Sequence, residues 1–291
     1  MFEIVSNERI GPSIHRLRVR AAKIARKRQA GQFVIVRAHA DGERIPLTIA
    51  DSDPAEGTIT LIVQAVGRST TMLCRLGVGQ EILDLAGPLG HPTHIERVGR
   101  VVVIGGGIGT AVAMPIAAAM KAAGNEVWAV IGGRMRDHVI LEDDVGRIAD
   151  KLIVCTDDGS YGRHGLVTGA LKELLDAGAG EQRIDRVVAV GPVPMMQAVC
   201  EMTRPAGIPT TVSLNPIMID GTGMCGGCRV TVGGKTRFAC VDGPEFDGHE
   251  VDFTELRRRL SAFEEMEHEA RRMYEDGCRL DAEIERTKGD E

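Results

Sequence analysis

Three cysteines and a carboxylate in the last third of the sequence have the spacing of a metal or cluster site. Cys225 and Cys228 are three positions apart in a glycine-rich loop, Cys240 follows, and Asp220 precedes Cys225 by five positions. Glycines let a backbone wrap closely around an inorganic centre, and three thiolates select a soft or borderline metal. The other cysteines fall in segments with unrelated patterning, so Asp220 is the candidate for the fourth ligand. The set predicts an iron-sulfur cluster on this loop.

A structural zinc site is the alternative interpretation of the same thiols, with His249 as a possible fourth donor. Between Cys228 and Cys240, an alternating segment with Gly-Gly at its centre predicts a tight hairpin that returns Cys240 beside Cys228. The long spacing to Cys240 favours iron-sulfur over zinc. Nucleotide-type motifs upstream favour it too, because an electron carrier needs a centre with which to exchange electrons.

A cation and a hydroxyl, Arg44 and Thr48, are four positions apart in a segment predicted to be an extended strand, so both point to one face. A guanidinium can bind a pyrophosphate while a hydroxyl bonds near the redox-active ring of a flavin. Residues 67–70 begin a predicted helix with several hydroxyls near its start, a second possible phosphate contact. A surface arginine and a strand threonine without a ligand are the alternative.

A glycine loop, Gly105-Gly-Gly-Ile-Gly109-Thr110, directly follows an apolar strand and precedes an alanine-rich helix. Backbone N–H groups at such a turn can approach a pyrophosphate, and the helix dipole favours its charge, so a dinucleotide is the natural ligand. Arg134 and Arg136 stand where an acidic residue would bind a ribose; they contact an adenosine phosphate or lie in solvent. Glycines that only allow a tight strand-helix crossing are the alternative.

Two later strand ends carry small and polar residues at the edge of the sheet where ligands of α/β proteins bind. Asp157 and Asp158 follow one strand, and Gly191 and Pro192 follow another. The two aspartates are as well suited to capping a turn as to meeting a nicotinamide.

These motifs lie on two kinds of predicted architecture. Short β-type runs at residues 14–19, 32–36, 58–66 and 81–85 predict an antiparallel barrel or sandwich over residues 1–99. Apolar strands alternate with helix-length segments in residues 100–208, which predicts a parallel sheet covered on both faces. A Gly- and Cys-rich segment spans 209–250, and residues 251–291 predict a helix with one apolar stripe formed by Leu256, Leu260, Phe263, Met266, Ala270 and Met273.

Composition excludes several functional classes. The chain has 291 residues and a formal net charge of −6, and no basic stripe interleaved with aromatic residues that could follow a phosphate backbone, so nucleic acid is not expected as a partner. No apolar run approaches the length of a membrane helix, and the start has no signal-peptide pattern, which predicts a cytoplasmic protein without membrane insertion. Seven unevenly spaced cysteines argue against a disulfide framework.

Taken together, Arg44-x-Pro46-x-Thr48, Gly67-Arg68-x-Thr70, Gly87-Pro-Leu-Gly, the glycine loop, Gly191-Pro192 and the cysteine loop resemble the ferredoxin-reductase-like flavoprotein superfamily over about residues 1–250. Within it, the sequence is similar to electron-transfer subunits related to that of dihydroorotate dehydrogenase. It is most similar to the small subunits of NADH-dependent reduced ferredoxin:NADP oxidoreductase, also described as sulfide dehydrogenase small subunits.

That resemblance implies FAD in the N-terminal β-barrel, NAD(H) or NADP(H) on the Rossmann-like α/β domain, and one 2Fe-2S cluster on the cysteine loop. It implies an oxidoreductase subunit that passes electrons to a larger iron-sulfur flavoprotein subunit, with ferredoxin involved indirectly and electron bifurcation a property of the complex. The dihydroorotate branch usually supplies four cysteines, whereas Asp220 resembles the three-cysteine, one-aspartate ligation of the transhydrogenase-type subunit. A dihydroorotate-type complex and a zinc-stabilised nucleotide-sensing module are the alternatives.

No side-chain nucleophile or general base is expected, because hydride transfer to a flavin near Thr48 needs only aligned cofactors. The predicted cluster ligands are Asp220, Cys225, Cys228 and Cys240, and the predicted cofactor-binding residues are Arg44, Pro46, Leu47, Thr48, Gly67, Arg68, Ser69, Thr70, Gly87, Gly105, Gly106, Gly107, Gly109, Thr110, Arg134, Asp157, Asp158, Gly191 and Pro192.

Overall fold

The computed structural model describes residues 1–40, 42–177, 183–270 and 272–274. Its amino-terminal part is an antiparallel sheet of seven strands, β1 (Phe2–Gly11), β2 (Ile14–Arg20), β3 (Phe33–Arg37), β4 (Ile45–Asp53), β5 (Thr58–Gln64), β6 (Glu81–Ile82) and β7 (Asp84–Leu89). Two short helices accompany it, α1 (Ala22–Ala25) and α2 (Arg68–Cys74).

The strand order β6-β1-β2-β5-β4-β3-β7 makes this sheet a nearly closed barrel. Its two edge strands follow each other in sequence with only Leu83 between them, and the Leu83 N–H donates to the carbonyl of Ala38. Alternating apolar residues from every strand fill one core, in which Leu17, Ile49 and Leu61 are fully buried. The predicted N-terminal β-barrel is therefore confirmed, and β1 is a strand that the sequence analysis did not identify.

The second part is a seven-stranded, mainly parallel sheet with helices on its faces. Its strands are β8 (Arg100–Gly106), β9 (Glu126–Gly133), β10 (Lys151–Thr156), β11 (Arg163–His164), β12 (Arg186–Val190), β13 (Thr210–Ser213) and β16 (Glu245–Asp247), and its helices are α3 (Thr110–Ala122), α4 (Glu142–Gly146), α5 (Val167–Ala177) and α6 (Val193–Thr203). The predicted α/β Rossmann-like domain is confirmed.

Strand order in this sheet is β11-β10-β9-β8-β12-β13-β16. The chain moves outward from β8 in one direction and then returns to place β12 on its other side. Ligands of open α/β sheets bind at such a reversal, outside the carboxyl ends of the strands. The glycine loop after β8 and Gly191 after β12 flank this point.

The cysteine-rich segment lies between two strands of the same sheet. β13 pairs in parallel with β12, and β16 pairs antiparallel with β13. Between them the chain forms the cysteine loop and the predicted hairpin, β14 (Arg229–Val232) and β15 (Lys235–Phe238). Gly233 and Gly234 both have positive φ at the turn, as a two-residue hairpin loop requires.

A carboxyl-terminal helix follows, as predicted. Asp252 caps α7 (Phe253–Leu260), because its carboxylate accepts from the N–H of Glu255 at 2.9 Å. Helical residues continue through 264–270 and 272–274. Only the start of the predicted apolar stripe is buried: Leu256 packs into the core, whereas Met266 and Met273 are 65% and 70% exposed. Cys278 and the rest of the predicted tail lie outside the described residues. In the described part of the chain, every helix is too short or too polar to cross a bilayer.

Candidate functional site

The cysteine hairpin brings two of the predicted ligands together. The Sγ atoms of Cys228 and Cys240 are 3.2 Å apart, and both residues are buried. The N–H of Ala239 donates to the carbonyl of Cys228 at 3.1 Å, so the hairpin ladder itself fixes this juxtaposition. Burial raises the pKa of Cys240 to about 12. Metal binding here must therefore displace protons from the thiols.

Asp220 and Cys225 lie on the exposed part of the same loop. The Asp220 carboxylate accepts from the N–H of Thr222 at 3.0 Å and from the N–H of Cys225 at 2.8 Å. The Thr222 N–H, with that of Cys225, lowers the pKa of Asp220 to about 2. The carboxylate is thus ionised at neutral pH, and its two hydrogen bonds to backbone N–H groups stabilise the conformation of the loop.

The donor set fits an iron-sulfur cluster in its chemistry. It offers two adjacent thiols, a third thiol three positions away and an ionised carboxylate, on a loop where Gly221, Gly223 and Gly226 have positive φ. As the loop stands, no three histidine, cysteine, aspartate or glutamate side chains among the described residues converge closely enough to hold a metal ion. To hold a cluster, Cys225 and Asp220 would have to approach the paired thiols more closely.

His249, the possible donor of the zinc alternative, is engaged elsewhere. Its Nε2 lies 3.0 Å from the hydroxyl of Thr203, at the end of α6, and its backbone carbonyl accepts from Arg204. The imidazole is thus turned toward α6. This placement gives no support to a site of three cysteines and His249.

The cysteine loop packs directly on the barrel. Cys228 and Cys240 share a buried cluster with Phe33 and Ile35 of β3. Gly221 has a φ of +73°, which favours glycine, and a Cβ added there would lie 2.6 Å from a methyl carbon of Leu89 in β7. Thr48 of β4 pairs with Phe33 on the neighbouring strand. The predicted cluster site and the predicted flavin strand are thus separated by β3.

Arg44 precedes β4 rather than lying within it, because the strand begins at Ile45. Its guanidinium pairs with the carboxylate of Asp84 in β7, and both side chains are partly exposed. Pro46 and Leu47 pair with Ile35 and Val34 in the ladder. The prediction that Arg44 and Thr48 extend from one strand therefore holds only for Thr48.

The predicted helix at residues 67–70 is confirmed as the start of α2, but two of its hydroxyls have local partners. Thr70 Oγ1 accepts from the N–H of Gly67 at 3.1 Å and donates to its carbonyl, which caps the helix. Ser69 is buried and donates to Glu43 at 2.9 Å. Arg68 is exposed. In β7, a Cβ at Gly87 would lie 2.7 Å from Val34 Cγ1.

The glycine loop is shaped by close approach to the neighbouring strand. A Cβ on Gly109 would lie 2.3 Å from the carbonyl oxygen of Val190, and one on Gly106 would lie 2.5 Å from the sulfur of Met195. A Cβ on Gly105 would meet Thr110 at the start of α3. Gly107 differs: it has a φ of +56° and open space around it. Gly105, Gly106 and Gly109 are therefore needed for close packing, whereas the backbone of Gly107 has open space around it, near the crevice between β8 and β12.

The remaining predicted residues follow β9 and β10, farther from the reversal point. Asp158 accepts from the N–H of Ser160 at 2.9 Å, so it caps its own turn. Hydrogen bonding with the side chain of Ser160, and then with its N–H, lowers the pKa of Asp158. The N–H of Asp157 donates to the carbonyl of Gly133, which ties this turn to the end of β9, where Arg134 is exposed. Arg136 lies over the ring of Tyr161 at 5.2 Å.

Helix α3 joins the glycine loop to the barrel. Ala111, in its first turn, is buried against Ala50 of β4 and Ile62 of β5. The middle of strand β4 therefore contacts the first turn of α3. The same strand pairs with β3, on which the cysteine pair packs. The three predicted sites, which are far apart in sequence, converge around β4.

Two functional candidates escaped the sequence analysis, Arg229 and Arg259. Their guanidinium groups donate to the carbonyls of Gly226 and Gly227, inside the cysteine loop. Arg229 directly follows Cys228, and this proximity was an available signal. Arg259 is one of three consecutive arginines in α7, and no local pattern distinguishes it from the other two.

Comparison with known proteins identifies the cysteine-rich segment. Residues 215–252, which include all four predicted cluster ligands, match the family model for the iron-sulfur cluster binding domain of dihydroorotate dehydrogenase B. This match covers the cysteine loop, the hairpin and β16.

Similarity also extends over nearly the whole chain. A dihydroorotate dehydrogenase B (NAD(+)) electron transfer subunit homolog from Thermotoga maritima is 47% identical over 265 residues, 91% of this chain and 92% of the relative. A probable dihydroorotate dehydrogenase B (NAD(+)) electron transfer subunit from Methanopyrus kandleri is 33% identical over 228 residues, 78% of this chain and 82% of the relative.

The chain also aligns with a solved structure, that of the NADH-dependent reduced ferredoxin-NADP oxidoreductase, which was described for its insights into flavin-based electron bifurcation. The TM-score is 0.86 and the sequence identity is 45%. The alignment covers 92% of this chain and 97% of that chain. These findings confirm the resemblance inferred from the motifs. The chain belongs to the family of dihydroorotate dehydrogenase B electron-transfer subunits and their homologues.

Proposed function

We propose that this chain is an electron-transfer flavoprotein subunit in which electrons pass between NAD(H) or NADP(H), FAD and a 2Fe-2S cluster, and from there to a larger partner subunit. The observation that carries the proposal is the position of the paired thiols of Cys228 and Cys240. They pack on β3, and β3 pairs with the strand that holds Thr48. The thiols thus contact one strand and Thr48 lies on the next, so the path for electrons between the two proposed redox sites would be short.

The proposed function requires three binding sites, one for each cofactor. Arg44, Thr48 and Arg68 would hold and orient FAD on the barrel, and FAD when bound converts between hydride and single-electron transfer. The glycine loop and Gly191 would hold the pyrophosphate of the nicotinamide nucleotide at the crevice between β8 and β12. Asp220 and the three cysteines would hold the cluster. Residues 1–99, 100–208, 209–250 and 251–291 remain the proposed division into domains.

The surface around the cysteine loop is suited to a protein partner. Ile219, Met224 and Val241 are exposed, Met224 to 90%. Ile219 lies beside Gly227 and Val241 beside Gly223, so these apolar side chains surround the exposed Cys225. Exposed apolar groups that border a functional loop are typical of interaction sites. We place the larger subunit on this surface, where it would cover the cluster.

The partner of the ferredoxin:NADP oxidoreductase type is favoured by the 45% identity to the solved structure of that enzyme and by a carboxylate at position 220. A dihydroorotate dehydrogenase partner is the second candidate, because the matched relatives carry that name. Copurification of the native complex and identification of the second polypeptide separate the two.

Purification of the chain tests the proposed function. The expected preparation is coloured, with flavin absorption, iron and acid-labile sulfide, and NADH or NADPH bleaches the flavin absorption under anaerobic conditions. A colourless preparation with stoichiometric zinc would instead establish the nucleotide-sensing alternative.

Two glycine substitutions test the nucleotide site. Gly109→Ala places a methyl group against the carbonyl oxygen of Val190. Because this oxygen belongs to the backbone of a buried strand and cannot move aside easily, the free energy of unfolding should fall by about 2 kcal/mol. Gly107→Ala meets no neighbour and costs only the strain of its positive φ, about 1 kcal/mol. Its methyl group, however, projects where a pyrophosphate would approach, so NADH affinity should fall by at least about tenfold.

Urea unfolding and NADH titration of flavin reduction measure the two effects separately. Unchanged NADH affinity in Gly107→Ala, in a folded protein with full FAD content, would remove the glycine loop from the nucleotide site.

The role of Arg44 is tested through its ion pair. Arg44→Ala should weaken FAD binding by about tenfold or more, because a charged hydrogen bond to phosphate contributes about 1.5–3 kcal/mol. Its effect on stability should be small, since the pair with Asp84 is partly exposed. Asp84→Asn is the matched control: it breaks the same ion pair but keeps the guanidinium, so FAD affinity should be retained. Equal FAD content in wild type and Arg44→Ala would contradict the assignment.

A further inference from the structure

Both carbonyls between Cys225 and Cys228 are held by guanidinium groups. The Gly226 carbonyl accepts from Nη1 of Arg229 at 2.8 Å, and the Gly227 carbonyl accepts from Nη2 of Arg259 at 3.1 Å. Arg229 begins β14, next to the loop in sequence. Arg259 comes from the last turn of α7, on a different element.

These bonds orient the N–H groups of the loop. A peptide group is planar and trans, so its N–H points opposite to its C=O. While Arg229 draws the Gly226 carbonyl outward, the N–H of Gly227 in the same peptide donates to Cys225 Sγ at 3.4 Å. In the next peptide, the bond from Arg259 to the Gly227 carbonyl directs the N–H of Cys228 away from α7. The bond from Arg229 thus accompanies an N–H that faces a sulfur, and the bond from Arg259 fixes the orientation of the peptide that precedes Cys228.

The position of Arg259 is set by packing. Phe253 and Leu256 of α7 are buried in one core with Val230 and Val232 of β14, the strand that begins directly after Cys228. Farther along, the helical tail reaches the barrel, where Nη1 of Arg75 donates to the hydroxyl of Tyr274 at 2.9 Å. The guanidinium of Arg259 is therefore carried by a helix whose apolar side chains pack on β14.

We propose that Arg259 is a positioning residue that raises the reduction potential of the cluster held by this loop. The inference rests on the proposed function, since it assumes a cluster at the cysteine loop. One-electron reduction adds a negative charge there, and a guanidinium stays protonated at any pH the protein experiences. Oriented N–H groups near the sulfurs favour the same reduced state, because hydrogen bonds to sulfur and local charge tune such potentials. The carboxyl-terminal helix thereby becomes part of the redox site.

The test is a redox titration of the purified, cluster-loaded full chain, followed by electron paramagnetic resonance of the reduced cluster. Arg259→Ala should lower the ratio of reduced to oxidised cluster at a fixed potential by about tenfold, which equals a fall of about 59 mV for one electron. Arg259→Lys keeps the charge and should restore most of the potential. Arg257→Ala removes an exposed arginine from the same helix and should leave the potential unchanged.

Iron and acid-labile sulfide are measured in every variant. Should Arg259→Ala lose its cluster, Arg259→Gln replaces it, because it removes the charge but keeps a side-chain donor for the Gly227 carbonyl. The potential should then fall in the same direction by a smaller amount. A wild-type cluster potential in a fully loaded Arg259→Ala or Arg259→Gln protein would overturn the inference alone. Absence of iron from the wild-type chain would overturn the proposed function as well.

Discussion

Cys228→Ala is expected to remove nearly all iron and acid-labile sulfide from the purified chain while FAD stays bound. Cys228 is buried, its sulfur lies 3.2 Å from that of Cys240, and the hairpin fixes both. A cluster that loses one of its thiolates loses the ligand field and the covalent anchor that keep it assembled. Since the sulfur occupies little volume, the loss of packing should cost about 1 kcal/mol and leave the barrel folded.

Cys155→Ala is the matched control for this substitution. Cys155 is equally buried, but it lies in β10 of the nucleotide-domain sheet, away from the loop. Its removal creates a similar small cavity without touching a proposed ligand, so iron content should equal that of the wild type. Colorimetric assays measure the iron and acid-labile sulfide content of each protein, and its FAD content is measured after denaturation. Full iron content in Cys228→Ala would exclude this residue as a ligand and with it the proposed cluster site.

Local sequence patterns predicted the elements of this site well. Gly233-Gly234 between two alternating segments determines a hairpin by turn chemistry alone, and the hairpin necessarily returns Cys240 to Cys228. Likewise, the run from Val101 to Ile104 followed by glycines predicted β8, the loop and α3, because a buried parallel strand and a tight crossing are both visible in short windows.

Long-range pairings were beyond the same reasoning. The bond from Arg259 to Gly227 joins residues 32 positions apart and depends on how α7 packs on β14. The sequence predicts a phosphate contact for Thr70, and the structure shows that its hydroxyl caps α2. A threonine at the start of a helix suits both roles, so sequence alone does not separate them. The three- and four-residue spacing of apolar side chains, including Met266 and Met273, predicts an apolar helix face that packs against another surface. The spacing does not identify that surface.

A buried carboxyl at the junction of the two domains was also invisible in sequence. Glu245 extends from β16, and its Oε1 accepts a hydrogen bond of 2.5 Å from Thr93 in the segment that joins the barrel to β8. A Cβ on Gly31, from the barrel, would lie 2.5 Å from the same oxygen, so the carboxyl has no room to move outward there. The residue keeps some exposed surface, whereas its carboxyl group is enclosed, and this enclosure raises the pKa of Glu245 from 4.5 to about 7.

Stability should consequently depend on the protonation of Glu245. The folded protein holds this proton more tightly than the unfolded chain, so stability falls as pH rises from 4.5 to about 7 and stays low above that range. Complete ionisation should cost about 3 kcal/mol. Glu245→Gln keeps an acceptor for Thr93 and removes the charge. It should therefore raise the free energy of unfolding by this amount at about pH 8 and change it little at about pH 4.5.

Urea unfolding at several pH values measures the effect, with Glu81→Gln as the control because Glu81 is an exposed carboxylate on a barrel strand. The control should follow the wild-type pH dependence, whereas Glu245→Gln should show a flatter curve between about pH 4.5 and about pH 7. Parallel curves for wild type and Glu245→Gln would mean that the carboxyl escapes to water in solution. A flatter curve would show that ionisation of Glu245 destabilises the junction that Thr93 and Gly31 form with β16.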